Sequence, residues 1–450
     1  MTEKQILIIF LLLTFTVCAF IVDRKVLVYL LVGILPLSFT TSYGPANVYL
    51  ILGVAGIDLL KSLGRQNNGQ PLSLWPIALL VLLVFAYLAS FSANYWYMEF
   101  PKGFFKSSPT LALLTMASCV ALFFLVVSTI ETLREAKILL GLSIVAYFLS
   151  AGAAVFQILD PTNIYFYEYF THYQSIAVQE SRGGVRVYGT LGEYELFAEY
   201  SAIVVVLCLY FALRPGLSLP ARFMCFIPVA ASFYFLMMTK TRGALIALTL
   251  ALGYMLIAQV RLIGVARTSM IVAVIVSLYA GSYLLFSNAG NYNTIDHLTA
   301  GTNVSLKSGN FDTRTRVWTK ATKVFVESPQ NEQLWGKGPG IPPQAADLDT
   351  YPHSLYLYTL LSVGAVGLMG YLFWFGFLLV GSPPGGAEQI RFAVFLKAAL
   401  ILFLIDQLKI EFLRLPAYQH IIWVLMALVF IANKQGFREG SAATAREALA

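Results

Sequence analysis

Charge is the scarcest ingredient of this sequence. Lysine, arginine, aspartate and glutamate together form 12% of it, against roughly 25% in a soluble globular domain. That shortfall excludes a water-soluble fold of 450 residues. Cysteine is also rare. Cys18, Cys119, Cys208 and Cys225 each lie in or beside an apolar run, and none has a partner at metal-ligand spacing. They read as small packing residues, with no disulfide implied. No cluster of histidine, aspartate and glutamate has metal spacing, so neither a metal nor another cofactor is expected. "GKGPGIPP" (336–343) looks like a phosphate loop, but no Gly-Lys-Ser/Thr follows, and it reads as a glycine- and proline-rich turn. Internal repeats and low-complexity segments are missing. No small-residue cleavage site follows the first apolar run, Ile6 to Ile21, which is therefore expected to be a retained helix. The net charge of +7 does not point to nucleic acid, because basic residues flanking membrane helices are the ordinary topology signal.

What the sequence has in quantity is apolar length. Hydrophobic residues make up 58% of it, gathered in runs long enough to cross a bilayer as helices. Reading runs against breakers predicts an all-α, polytopic integral membrane protein. Spans are expected near 5–22, 26–41, 46–60, 73–92, 109–130, 136–158, 190–213, 222–239, 242–259, 267–286, 352–380, 391–408 and 416–433. That is about 12 or 13 spans, depending on whether every short segment before Leu60 crosses, and the side of the N-terminus depends on the same count. Residues 1–433 are expected to form one transmembrane domain, with a polar tail over 434–450 in the cytoplasm.

Basic residues orient the spans. Arg24 and Lys25, Lys61 and Arg65, Arg134 and Lys137, Arg214 and Arg222, Arg261 and Arg267, and Lys434 and Arg438 fall in alternate connections, which are predicted to be cytoplasmic. The others are expected outside: 93–108, 159–189, the Lys240–Arg242 turn and the long 287–351 segment. Within the last, "DTRTRVWTKATKVFVE" (312–327) has helical periodicity. Val317, Trp318, Ala321, Val324 and Phe325 share one face, and Asp312 or Thr313 can cap its start. Taken by itself, this pattern describes a helix lying on the lipid headgroups.

Several cations therefore meet on the outer side. Arg186 precedes one span, Lys240 and Arg242 flank the start of another, Arg314 and Arg316 lie on the loop helix, and His353 stands at a span mouth. Arginine there is costly unless it is paired or snorkels, and its fork matches phosphate oxygens bidentately. Each position also has a plain alternative as an interfacial anchor or a satisfied helix-start residue. His172, His297 and His420 too are placed outside or near the interface, so exposure does not single out His353. Pattern alone leads to an outward-facing anion site.

Four motifs go further. Arg186-Val187-Tyr188-Gly189-Thr190-Leu191, Thr241-Arg242-Gly243-Ala244, Arg314 to Trp318 with Gly336-Lys337-Gly338-Pro339-Gly340, and Pro352-His353-Ser354-Leu355-Tyr356-Leu357 with Gly364 and Gly367 resemble, in order and spacing, motifs of the O-antigen ligase and polymerase family. Its members are membrane glycosyltransferases. The resemblance covers residues 180–370. One departure is Gly192-Glu193-Tyr194-Glu195, which stands where many members have Asn-Pro-Asn and adds two carboxylates.

The resemblance implies an undecaprenyl-diphosphate-linked glycan donor, a glycan or lipid acceptor, and a bacterial inner membrane with the site on its outer side. It implies metal-independent transfer, with attack opposite the leaving group inverting the anomeric carbon. Arg186, Arg242 and Arg314, with Arg316 and Lys240, would face the diphosphate. Gly243 would let the backbone come close to it. His353 would position or deprotonate the acceptor hydroxyl; if it is not the base, it would hydrogen-bond the diphosphate or brace the loop against Tyr351 and Tyr356. Glu195 or Glu193 could serve as base instead. A polysaccharide polymerase using the same chemistry stays open. So does a lipid-linked glycan transporter, which would place its charges near mid-membrane on broken helices.

Overall fold

The computed structural model describes residues 3–37, 40–41, 44–63, 74–95, 107–159, 186–263, 309–346, 348 and 350–434, with 269, 272–273 and 276. Among the described residues the strands are a two-residue antiparallel pair, Thr40–Thr41 with Gly44–Pro45, and the other regular elements are helices. Helices run as α1 Glu3–Ile21, α2 Arg24–Ile34, α3 Ala46–Leu63, α4 Leu74–Asn94, α5 Ser108–Thr129, α6 Leu133–Leu159, α7 Tyr194–Ala212, α8 Leu219–Met238 and α9 Arg242–Ile263. They continue as α10 Gly309–Glu327, α11 Gln330–Trp335, α12 Leu355–Ser362, α13 Gly364–Val380, α14 Ala387–Asp406 and α15 Pro416–Lys434. Among the described residues, six are long and apolar enough to cross a membrane: α4 to α8 and α15. The Arg242–Ala258 and Gly364–Val380 helices are shorter apolar ones. The chain is a multi-pass membrane protein.

Three expected elements differ. The 26–41 run yields only the 11-residue α2, about 16 Å long, because Pro36 and the strand pair end it. The 352–380 run breaks into α12 and α13 at Val363–Gly364, where Gly364 takes φ +76° and the backbone of Leu334 occupies its Cβ space. Helix α10 starts at Gly309, three and four residues before Asp312 and Thr313, which therefore lie within its first turns and not ahead of its start. The expected span 267–286 and the tail fall almost wholly outside the described residues, as do most of the 93–108 and 159–189 loops.

The helices alternate between two ends of the bundle. At one end Arg24 pairs with Asp58 at 2.8 Å and Lys25 with Glu135 at 2.7 Å. There too Lys137 meets Glu388 at 2.7 Å, and Arg391 donates to the Leu213 carbonyl while lying over the Tyr210 ring. These contacts gather the end of α7 and the starts of α2, α6 and α14. At the opposite end lie the starts of α7, α9, α12 and α15 and the ends of α6, α8 and α14. Helices α7 and α15 are buried along nearly their whole length. An aromatic cluster of Phe123, Trp374, Trp423 and Phe430 locks α5, α13 and α15 together. Cys119 and Cys208 pack in the same core. His420 is fully buried in α15, with its Nε2 2.7 Å from Ser118 Oγ. It lies near a helix end, yet its neighbours seal it from the interface. His172 and His297 lie outside the described residues.

Candidate active site

Arg186 is held in place by the buried stretch behind it. Gln157 of α6 accepts from the Tyr188 and Gly189 N–H groups and donates to the Gly189 carbonyl. Ser150, two turns deeper, accepts from Thr190 N at 3.0 Å, and the Thr190 hydroxyl bonds to the Pro36 carbonyl and to Ser150. Gly189 has φ +57°, and a Cβ there would stand 2.6 Å from Ser150 Oγ and 2.9 Å from its carbonyl oxygen. This stretch delivers Arg186 to the mouth of α7, its guanidinium 4.8 Å from the centroid of the Tyr194 ring.

The Thr239–Arg242 turn joins the end of α8 to the start of α9. Thr239, Lys240 and Thr241 are buried, whereas Arg242 is exposed. Lys240 adopts φ +55°, a left-handed conformation that a residue with a side chain keeps only when its surroundings impose it. Burial, and then the charge of neighbouring Arg186, push its ammonium below the ordinary lysine value. Two cations are thus held close to each other at this mouth. The space beside Gly243 is filled. A Cβ there would collide with the Lys409 side chain, chiefly Cε and Cδ, so this glycine makes room for a lysine stem and not for a ligand beside the backbone.

Helix α10 does not simply lie on headgroups. Ala321, with Val324 and Phe325, packs against Ile341, Leu348, Leu357 and Leu361, so the apolar face read from sequence docks on α12 and the loop before it. Trp318 Nε1 donates to the Pro352 carbonyl at 2.8 Å, tying the helix to the residue before His353. Arg314 binds Glu195 at 3.0 Å. Arg316 is exposed and lies about 200° farther round the helix, away from that contact.

His353 has φ +46°. Of the described residues other than glycine, only it and Lys240 have a positive φ, and both occupy the candidate site. The imidazole Nδ1 lies 4.0 Å from Glu411 Oε2. Glu411 is fully buried and pairs with Arg414 Nε at 2.5 Å. Arg414 lies over the Tyr351 ring at 4.6 Å, and the Tyr356 hydroxyl donates to the Leu404 carbonyl. The histidine thus faces a carboxylate. Burial pushes the Glu411 carboxyl up to about 7, with Arg414 pulling the other way.

Beneath these groups lies a second charged layer. Lys409 Nζ is 3.2 Å from Asp406 Oδ1. Burial opposes its charge, yet Asp406, Glu195 and Glu199 around it hold the ammonium above its ordinary value. Glu199, one turn past Glu195 on α7, accepts from Gln407 and from the Tyr418 hydroxyl. Sequence reading missed Asp406, Lys409, Glu411 and Arg414, all in "DQLKIEFLRLP". Four charges packed between two apolar runs were the available signal, and alternation of spans places that turn on the same side as His353.

Gly336 and Gly364, both at positive φ, meet the backbones of the α12–α13 break and of α11, and Gly340 packs against the Ser108 carbonyl. Close backbone packing accounts for the glycines of this turn at positions 336 and 340. The arrangement can hold an anion beside Arg186, Lys240 and Arg242 while a histidine backed by a carboxylate stands at the same end of the bundle.

No curated protein matches the chain. A family model described as O-antigen ligase matches residues 227–372, about a third of the sequence, from within α8 into α13. Arg186, Glu195 and the Asp406–Arg414 turn lie outside that match. Over residues 227–372, which include the Thr239–Arg242 turn, Arg314 and His353, the chain is similar to the O-antigen ligase family.

Proposed function

We propose that this protein moves a glycan from a polyprenyl diphosphate to an acceptor hydroxyl, at the end of the bundle that carries Arg186, Lys240, Arg242 and His353. The observation that carries the reading is the pair of left-handed, non-glycine residues, Lys240 and His353. One stands in the basic turn and the other beside a buried carboxylate. Strain of this kind, about 1–3 kcal/mol at each position, persists where surrounding structure fixes a functional geometry.

In the proposed reaction the acceptor oxygen bonds to the anomeric carbon as the bond to the diphosphate oxygen breaks, and its electron pair stays on the diphosphate. Arg186, Arg242 and Lys240 stabilise that growing charge. His353 takes the acceptor proton. Attack opposite the leaving group inverts the carbon. Arg314, paired with Glu195, positions the loop helix and reaches the diphosphate only by exchanging that partner. Arg316 is the weakest contributor. Glu195, between Arg314 and Lys409, is better placed to organise cations than to accept a proton. The reading places this end outside the cytoplasmic membrane of a bacterium, because the opposite end carries the basic connections.

A transporter is the less favoured reading. Glu199 lies five residues into α7, about 8 Å from its start, so the buried carboxylates beneath His353 lie toward that end of the bundle and not at its middle. The test is transfer by purified protein from a synthetic lipid-diphosphate glycan. Arg242→Ala and Arg186→Ala should each lose about 10²–10³-fold in turnover, as expected on removing a donor aimed at developing charge. Lysine at either position should restore only part, since a point charge replaces a bidentate fork. Near-normal turnover in well-folded Arg242→Ala would return the turn to a simple connection.

A further inference from the structure

We propose that Glu411 is the positioning residue of His353, its buried carboxylate fixing which imidazole nitrogen carries the proton and steadying the charged ring once the acceptor hydroxyl has given up its own. The proposal rests on the reading of His353 as base.

Three observations converge on it. The first is contact: Nδ1 faces Oε2 at 4.0 Å, beyond hydrogen-bond length, so charge couples the two. The second is rigidity. Arg414 binds Glu411 and lies over Tyr351, Trp318 holds the Pro352 carbonyl, and Leu355 N donates to the Gln407 and Ile410 carbonyls. Both flanks of His353 are therefore tied to the α14–α15 turn that carries Glu411. The third is the backbone. At φ +46° His353 leaves the ordinary path of a helix start, and the ring that results points one nitrogen at a carboxylate with no exposed surface.

A nitrogen facing a carboxylate carries the proton, which leaves the lone pair on Nε2. The acceptor proton then passes to Nε2, the new bond forms at the anomeric carbon, and the electron pair of the broken bond leaves with the diphosphate. Glu411 accepts no proton from the substrate. The charged groups around Glu411 are Arg414, which opposes protonation, and Glu195 and Glu193, which favour it; Glu195 also interacts with the His353 charge. Burial places its carboxyl at about 7, while the proposal itself stands on the facing geometry of the two groups. A merely structural Glu411 would brace the turn through Arg414 without affecting the proton affinity of His353.

The experiment reads that affinity directly. The full chain in detergent is treated with diethyl pyrocarbonate between about pH 5 and 8, and modification of the His353 peptide is followed by mass spectrometry. The ring is about one-third exposed and open to reagent, and no donor is needed. Glu411→Gln should lower the labelling midpoint by about 1 in pH. Glu411→Asp, which draws the carboxylate back toward Arg414, should lower it less, and it serves if the glutamine variant fails to fold. A midpoint identical to that of the unaltered protein, in whichever variant folds, overturns the assignment. The acid limb of transfer should move by the same amount in the same direction. A labelling shift with an unmoved acid limb keeps the pairing and removes His353 as the base, so the two readings fail separately.

Discussion

Gly189 and Gly243 show two different uses of a missing side chain. Gly189 needs both its positive φ and the space that Ser150 and Phe197 would deny a methyl group. Gly189→Ala should therefore destabilise the protein by about 1–3 kcal/mol through strain alone, seen as a lower thermal midpoint in detergent. An unchanged midpoint would mean that the Gln157 and Ser150 contacts do not fix this stretch. Gly243 sits in ordinary helical geometry, and its neighbour is the movable end of Lys409. Gly243→Ala should cost little stability while displacing that ammonium from Asp406, so transfer should fall more than the thermal midpoint does. Glu411 supplies a prediction with a definite sign. Its carboxyl is raised from 4.5 to about 7 by burial. Between those values the folded chain keeps a proton that the unfolded chain has released. Its contribution therefore makes stability fall as pH rises through that window. Glu411→Gln should flatten this decline in thermal scans at a series of pH values, and an equal slope in both proteins would refute the shift.

At the scale of elements, α10 matters because it joins two parts of the site. Its apolar face docks on the small cluster with Leu357 and Leu361, its indole holds Pro352, and its arginine reaches Glu195 of α7. The indole bond should be worth about 1 kcal/mol, and removing it should loosen His353 more than the bundle. Trp318→Phe is therefore expected to lower turnover several-fold with a small change in thermal midpoint. If turnover and midpoint fall in proportion, α10 is only a brace. Arg314 and Glu195 are coupled across a partly buried pair, so a double-mutant cycle of Arg314→Gln and Glu195→Gln should show non-additivity of about 0.5–3 kcal/mol in transfer. Additive losses would mean that the two act through different partners.

The whole molecule is organised by alternation. Helices that start at the Arg24–Glu135–Glu388 end finish at the His353 end, and their successors return. One sidedness experiment therefore tests every assignment together. A cysteine at position 310 should react with an impermeant reagent in spheroplasts, and those at 61 and 214 only after lysis. Protection of 310 until lysis would place the site in the cytoplasm and remove a donor glycan exposed outside. What the protein makes is read at the same scale. Loss of chain length in cells without the gene marks a polymerase, whereas long chains left on the carrier lipid mark a ligase.

Scarcity of charge and length of apolar runs determined by themselves that this chain is helical and crosses a membrane many times, because a bilayer leaves the backbone no other way to satisfy its polar groups. Arg186, Arg242, Arg314 and His353 were legible too, since a charge at a span mouth stands out against an apolar background. Short-range pattern also gave the apolar face of α10. Only the tertiary structure decided the rest. It split the 352–380 run at Gly364, because the backbone of α11 presses there. It gave the space at Gly243 to Lys409, and it turned His353 toward Glu411, 58 positions along the chain. Contacts between residues so far apart depend on which helix ends the fold brings to one level, and no local spacing records that. The carboxylate facing His353 was hidden for the same reason: its neighbours in sequence are a turn and two spans, and its neighbours in space are the groups of the candidate site.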